Sequence, residues 1–142
     1  MNGTERSTPT ANTLRRHGIV PTAQRLAIAR VVLSKPQHLS AEQVFSLVTQ
    51  QGNTAHVSKA TVYNTLSLFV GKGLIQEVIA DPSRIFYCST TVPHPHFYNV
   101  DTHELEDADP ALCRVQLEQP LPEGTELESV DVVIRVRNIP CH

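Results

Sequence analysis

Residues 58–73, SKATVYNTLSLFVGKG, constrain the fold more than any other stretch. Ser58 offers the hydroxyl that a helix start needs for its unpaired amides. Val62, Leu66 and Phe69 recur at four- and three-residue spacing, so a helix here carries one apolar stripe that must be buried. Lys59, Thr61, Tyr63, Asn64 and Ser67 supply its polar side. Lys59 suits a phosphate or guanine, Tyr63 a thymine methyl or a phosphate, and Asn64 an adenine. An ordinary amphipathic helix with a solvated face would show the same pattern.

Shorter helical segments lead up to it. Residues 1–9 are polar and expected to fray. A helix is expected over 11–17, ending at Gly18, which tolerates the left-handed conformation. Pro21-Thr22 opens a second helix that runs to about residue 34, with Leu26, Ala29 and Leu33 on one face, and Lys35-Pro36 ends it. Ser40 and Gln43 have capping-box spacing and open a third, with Ala41, Val44, Leu47 and Val48 as its stripe. Gln51-Gly52-Asn53 reads as a turn. After the long helix, strands are expected over 74–79 and 84–88 around Ala80-Asp81-Pro82-Ser83, a turn signal. Helices followed by a two-stranded wing describe a winged helix-turn-helix.

The remaining third has another texture. A hairpin is expected over 96–100 and 104–107 around Asp101-Thr102-His103. Pro110 at a tolerated first position opens a helix over 109–118. Val130, Val132, Ile134 and Val136 alternate in a strand over 129–138. The expected fold class is α+β: a winged helix-turn-helix DNA-binding domain over 1–83, then a small α/β dimerisation and metal-sensing domain over 84–142. About sixty residues make little core, so this half is expected to bury apolar surface against a second copy.

Charge supports the division. Residues 1–80 hold eight Lys/Arg against three acids, and residues 81–142 hold four Arg against eleven acids, within a net charge of −2. A basic half suits a nucleic-acid partner and an acidic half stays off it. Arg15, Arg16 and Arg25 suit phosphates, which position a protein without reading sequence. The three cysteines, Cys88, Cys113 and Cys141, are odd in number and form no CxxC pair. They give neither a disulfide framework nor a four-cysteine zinc site. No leader-like opening is seen, and no apolar run reaches the roughly 18 residues of a spanning helix. The expectation is a cytoplasmic protein without membrane contact.

His94 and His96 lie two apart, so in a strand their rings share a side. Paired imidazoles suit iron, zinc, nickel or manganese, although two surface histidines in a Pro-flanked loop would read alike. Cys88 precedes them by a short loop, Asp107 closes the next hairpin, and His38 lies between the second and third helices.

The blocks LRRHGIVPTAQRLAIARVVL, HLSAEQVF and SKATVYNTLSLFVGKGLI resemble the ferric uptake regulator family of bacterial metal-responsive repressors. PHPHFYNVDTHELEDADP with PEGTELESVDVVIRVR looks most like its iron-response regulator branch. The similarity runs over about residues 12–137. It implies a homodimer on AT-rich palindromic double-stranded DNA. It also implies one divalent metal per protomer, Fe(II) or Zn(II) with Mn(II) as a further candidate, held by His38, His94, His96 and Asp107. The fifth family position, usually acidic, falls on Cys88, a softer ligand that would favour zinc or thiolate–iron.

Other departures matter. Val20 stands where relatives usually carry a basic residue. The paired CxxC motifs of a structural zinc site are absent, and Pro93 and Pro95 displace the ligands of a second site. The Cys-Pro haem motif of some relatives is absent too, so haem control would fall to His94 and His96 alone. His103 is expected in a solvated turn, His17 and His56 at the surface, Cys113 in the core, and Cys141 with His142 in a loose tail. The expected function is a metal-responsive regulator of iron or related metal and oxidative-stress genes, and not an enzyme. Alternatives are a peroxide- or zinc-sensing regulator of the same fold, a metal-independent DNA-binding or interaction module, and a small metallohydrolase, which lacks an evident general base.

Overall fold

The computed structural model describes residues 8–52 and 56–140. Of the expected fraying over 1–9, residues 1–7 lie outside the described residues, as do Asn53 of the expected turn and the Cys141–His142 tail, while Thr8 and Pro9 already cap and open a helix. The chain divides into two compact units, residues 1–91 and 92–142.

In the first unit, α1 (Pro9–Arg16), α2 (Ala23–Val32), α3 (Ala41–Gln50) and α4 (Lys59–Gly71) surround one apolar core. Each begins at a hydroxyl cap: Thr8, Thr22, Ser40 and Ser58 accept from the amides of Ala11, Arg25, Gln43 and Thr61. The Ser40/Gln43 capping box is complete, with both reciprocal bonds formed. α1 and α4 end alike. Gly18 (φ 75°) and Gly73 (φ 76°) take the left-handed conformation. The amides of Ile19 and Leu74 then reach back to the carbonyls of Leu14 and Phe69, each at 2.9 Å. Those bonds satisfy carbonyls that the helix ends leave unpaired. The expected stripe of α4, Val62, Leu66 and Phe69, is fully buried.

β1 (His38–Leu39), β2 (Gln76–Asp81) and β3 (Arg84–Cys88) form an antiparallel sheet in the order β1-β3-β2. β2 runs through Asp81, and the turn contracts to Pro82-Ser83. There the Asp81 carboxylate accepts from the Ser83 amide (2.9 Å) and hydroxyl (2.8 Å), a side-chain mimic of a turn. The expected domain boundary after Ser83 is corrected. It would cut the hairpin, whose five rungs bind β2 to β3, and the first unit continues to Thr91. β1 was not expected at all. Two residues carry no readable alternation, and only the edge offered by β3 makes them a strand.

The second unit holds β4 (His96–Asn99), β5 (Leu105–Asp107) and β6 (Val133–Val136) in the order β5-β4-β6. β4 and β5 form the expected hairpin, and β6 joins β4 in parallel. The expected helix over 109–118 is not formed; a single 3-10 turn, Pro110–Leu112, stands in its place. Leu112, Val115 and Leu117 are about half exposed. With nothing in this unit to bury against, a helix of that length lacks the packing that sustains short helices. The last strand shortens from 129–138 to four residues, and Val130 lies exposed outside it. Cys113, expected in the core, is only half-buried on an extended backbone.

Candidate metal centre and nucleic-acid face

The sequence around the histidines fixes their presentation. Pro93 and Pro95 lock their own φ, and a residue before proline is pushed to extended backbone. His94 is thereby held extended ahead of β4, and the His94 and His96 rings lie side by side, centroids 4.3 Å apart. β5 brings Asp107 opposite His96 in antiparallel register, and directly opposed residues share a face of the sheet. The Asp107 Oδ1 atom lies 2.7 Å from Nε2 of His94 and 3.3 Å from Nε2 of His96. His96 is buried, His94 nearly so, and Asp107 is half exposed at the mouth.

Sequence reasoning missed one participant. The Val92 carbonyl lies 2.6 Å from Nδ1 of His94. A carbonyl only accepts, so Nδ1 carries the proton and Nε2 of the neutral ring presents its lone pair. That lone pair faces a carboxylate oxygen, another acceptor, at 2.7 Å. Such an arrangement is attractive only with a positive centre between the two, a proton or a metal ion. Two imidazoles and one carboxylate, converging within 4.8 Å, fit a borderline divalent ion. No sequence signal marks Val92, because any residue has a carbonyl.

The other two proposed ligands lie in the first unit. His38 opens β1 and is half-buried; Cys88 ends β3 and is buried. They are direct register partners across β1 and β3, so their side chains leave the same face of that sheet. The Cys88 Sγ accepts from the Thr90 amide at 3.4 Å. Elsewhere, His103 adopts φ 63° in its turn, and its Nδ1 lies 3.1 Å from the buried Tyr98 hydroxyl. It is exposed, as expected, but it also serves to hold the turn. His17 is half-buried and His56 exposed.

On α4, Lys59, Tyr63, Asn64 and Ser67 are exposed, and Tyr63 is 48% exposed. Thr61 is only half-buried-side: its hydroxyl lies 3.0 Å from that of Ser58, within the helix cap. The Lys59 ammonium sits 5.8 Å from the Phe45 ring centroid, which steadies the side chain by cation–π attraction. Arg15, Arg16 and Arg25 are oriented by bonds to Asn12 Oδ1, Thr13 Oγ1 and the Val20 carbonyl. Val20 itself is 69% exposed. Tyr87, buried on β3 of the wing, has its phenol pKa raised above the ordinary tyrosine value by desolvation, with Glu77 and then Tyr63 adding to the effect. No helix among the described residues is long and apolar enough to cross a membrane.

Residues 16–135 match the family model described as the ferric uptake regulator family. The chain is 31% identical over 86 residues to the peroxide-responsive repressor PerR of Staphylococcus epidermidis, covering 60% of this chain and 54% of that protein. It is 33% identical over 86 residues to PerR of Staphylococcus aureus strain Mu50, covering 60% and 55%. The chain thus spans about half the length of the curated relatives it matches. Among solved structures, the ferric uptake regulator of Pseudomonas aeruginosa with manganese superposes with TM-score 0.70 at 26% identity, over 92% of this chain and 98% of that one. The Francisella tularensis regulator with iron gives 0.66 at 24%, over 85% and 92%, a likeness of fold alone.

Proposed function

Because this chain belongs to the ferric uptake regulator family, we propose that it is a metal-responsive DNA-binding transcriptional repressor, acting as a homodimer on genes of iron, related metals or oxidative stress. The convergence of His94, His96 and Asp107, with Nε2 of His94 aimed at a carboxylate, carries this reading. These three residues and His38 hold one divalent ion per protomer, Fe(II) or Zn(II). Mn(II) is a further candidate, supported by the manganese named for the Pseudomonas aeruginosa relative. Cys88 is the fifth candidate ligand. α4 reads an AT-rich palindrome through Lys59, Tyr63, Asn64 and Ser67, and Arg15, Arg16 and Arg25 position it on phosphates.

A tenfold to hundredfold preference of metal for the DNA-competent form corresponds to about 1.4 to 2.7 kcal/mol, sufficient to switch a repressor. The test replaces His38 with alanine and measures metal-dependent retention of duplex DNA. Loss of the metal response is expected, and an unchanged response overturns the role of His38 as a ligand. A second reading, peroxide sensing, is supported by the match to PerR. Mass spectrometry after peroxide treatment of the iron-loaded protein would then show oxidation at a ligand, together with loss of DNA retention.

A further inference from the structure

The α2 helix ends at Val32, and its last carbonyls have no partner within the helix. The Val31 carbonyl accepts from Gln37 Nε2 at 2.8 Å, from the Ser34 hydroxyl at 2.9 Å and, more weakly, from the Ser34 amide at 3.5 Å. Gln37 Nε2 also donates to the Ser34 hydroxyl at 3.2 Å. A loop that includes Pro36 is thus closed back onto the helix end by one side-chain amide. The next residue is His38. Consecutive Cα atoms are about 3.8 Å apart, so displacement of His38 pulls on Gln37 and, through its bonds, on the end of α2. On its other side His38 pairs with Cys88 in the short β1–β3 ladder.

The opposite end of α2 is tied in a matching way. Gln24 Nε2 donates to the His56 carbonyl at 2.8 Å, two residues before the Ser58 cap of α4. Between these ends Ala27, Ile28 and Ala29 are fully buried, and Val31 and Val32 nearly so. Close-packed interiors transmit displacement rather than absorbing it. A polar side chain at each end therefore connects the loop bearing His38 to the entry of the DNA-facing helix, through one buried rod about 15 Å long.

We propose that Gln37 is the positioning residue for His38 and couples its restraint, through α2 and Gln24, to the placement of α4. This rests on the reading of His38 as a metal ligand. The amide is specific to the role: a glutamate of the same size has no donor and would set its carboxylate against the helix-end carbonyls.

The experiment uses the full chain, Zn(II) as a redox-inert probe, and a duplex selected from random sequence by the wild-type protein. Operator affinity with and without Zn(II) is measured for wild type, Gln37→Glu and Gln37→Ala, with zinc stoichiometry measured alongside. Both variants are expected to keep one zinc per protomer and metal-free affinity within about twofold, while the zinc-induced change shrinks at least about fivefold. An intact zinc-induced change in either variant overturns the proposal. So does a fall in metal-free affinity with the zinc ratio preserved, since that marks a purely structural residue. A wild-type protein whose DNA affinity ignores zinc removes the functional reading, and this inference with it. A wild type that responds beside variants that respond equally removes only the role of Gln37.

Discussion

The two units are built from the same chain under opposite conditions of packing. The first gathers sixteen buried residues into one cluster fed by all four helices and by Tyr87 of the wing. The second buries Tyr98, His96, Leu105 and Ala108 around a three-stranded sheet and leaves Leu112, Val115, Leu117, Leu121 and Leu127 exposed. Caps, Schellman ends and alternating stripes agree with one another in the first unit, so local preference and tertiary packing reinforce each other. In the second, apolar residues are present but lack an opposing surface. Apolar residues left exposed in such number accord with the proposed homodimer. The thinner unit also holds the convergence of His94, His96 and Asp107.

The largest expected effect contrasts the two cores. Leu66→Ala should destabilise the protein by about 2–5 kcal/mol in urea unfolding, because the side chain is fully buried and the cavity cannot collapse completely. Leu112→Ala, at a position 57% exposed, should cost less than about 0.5 kcal/mol in a monomer. A larger, concentration-dependent cost at Leu112 would show that a second copy covers it. Next in size is metal linkage. Zn(II) at about one hundred times its dissociation constant should stabilise the protein by about 2.7 kcal/mol, and His96→Ala should abolish that gain in a thermal scan. Retention of the gain would place the ion elsewhere. Leu117→Asp puts a charge on the exposed apolar segment and should weaken self-association at least about tenfold by sedimentation, leaving the first unit's unfolding unchanged. The smallest effect is Ser40→Ala, expected to cost about 1 kcal/mol by loss of the capping box. A null result there would mean that packing of Val44 and Val48 alone holds the start of α3.

Legibility followed the range of the interactions involved. The helices of the first unit were readable within a few residues of their ends, because caps and stripes are contacts between residues three or four apart. The wing was readable through its turn, with strand β3 predicted over the residues it occupies. β1 was not, because a two-residue strand exists only by virtue of its partner. The helix over 109–118 was misread because its apolar spacing is real but the surface to bury it is missing from this unit. Among the proposed ligands, the side-by-side placing of the His94 and His96 rings was legible from their two-residue spacing. The register that sets Asp107 against His96, and the Val92 carbonyl that selects the tautomer, were not.

What the amino-acid order determined alone was every feature that closes within one turn of helix or one hairpin: the caps, the stripe of α4, the wing and the paired imidazoles. Tertiary structure decided the extra strand at His38, the loss of the second-unit helix, and the setting of His94 Nε2 against the Asp107 carboxylate. Each of those depends on atoms distant in sequence, whose meeting costs chain entropy and happens only where packing repays it.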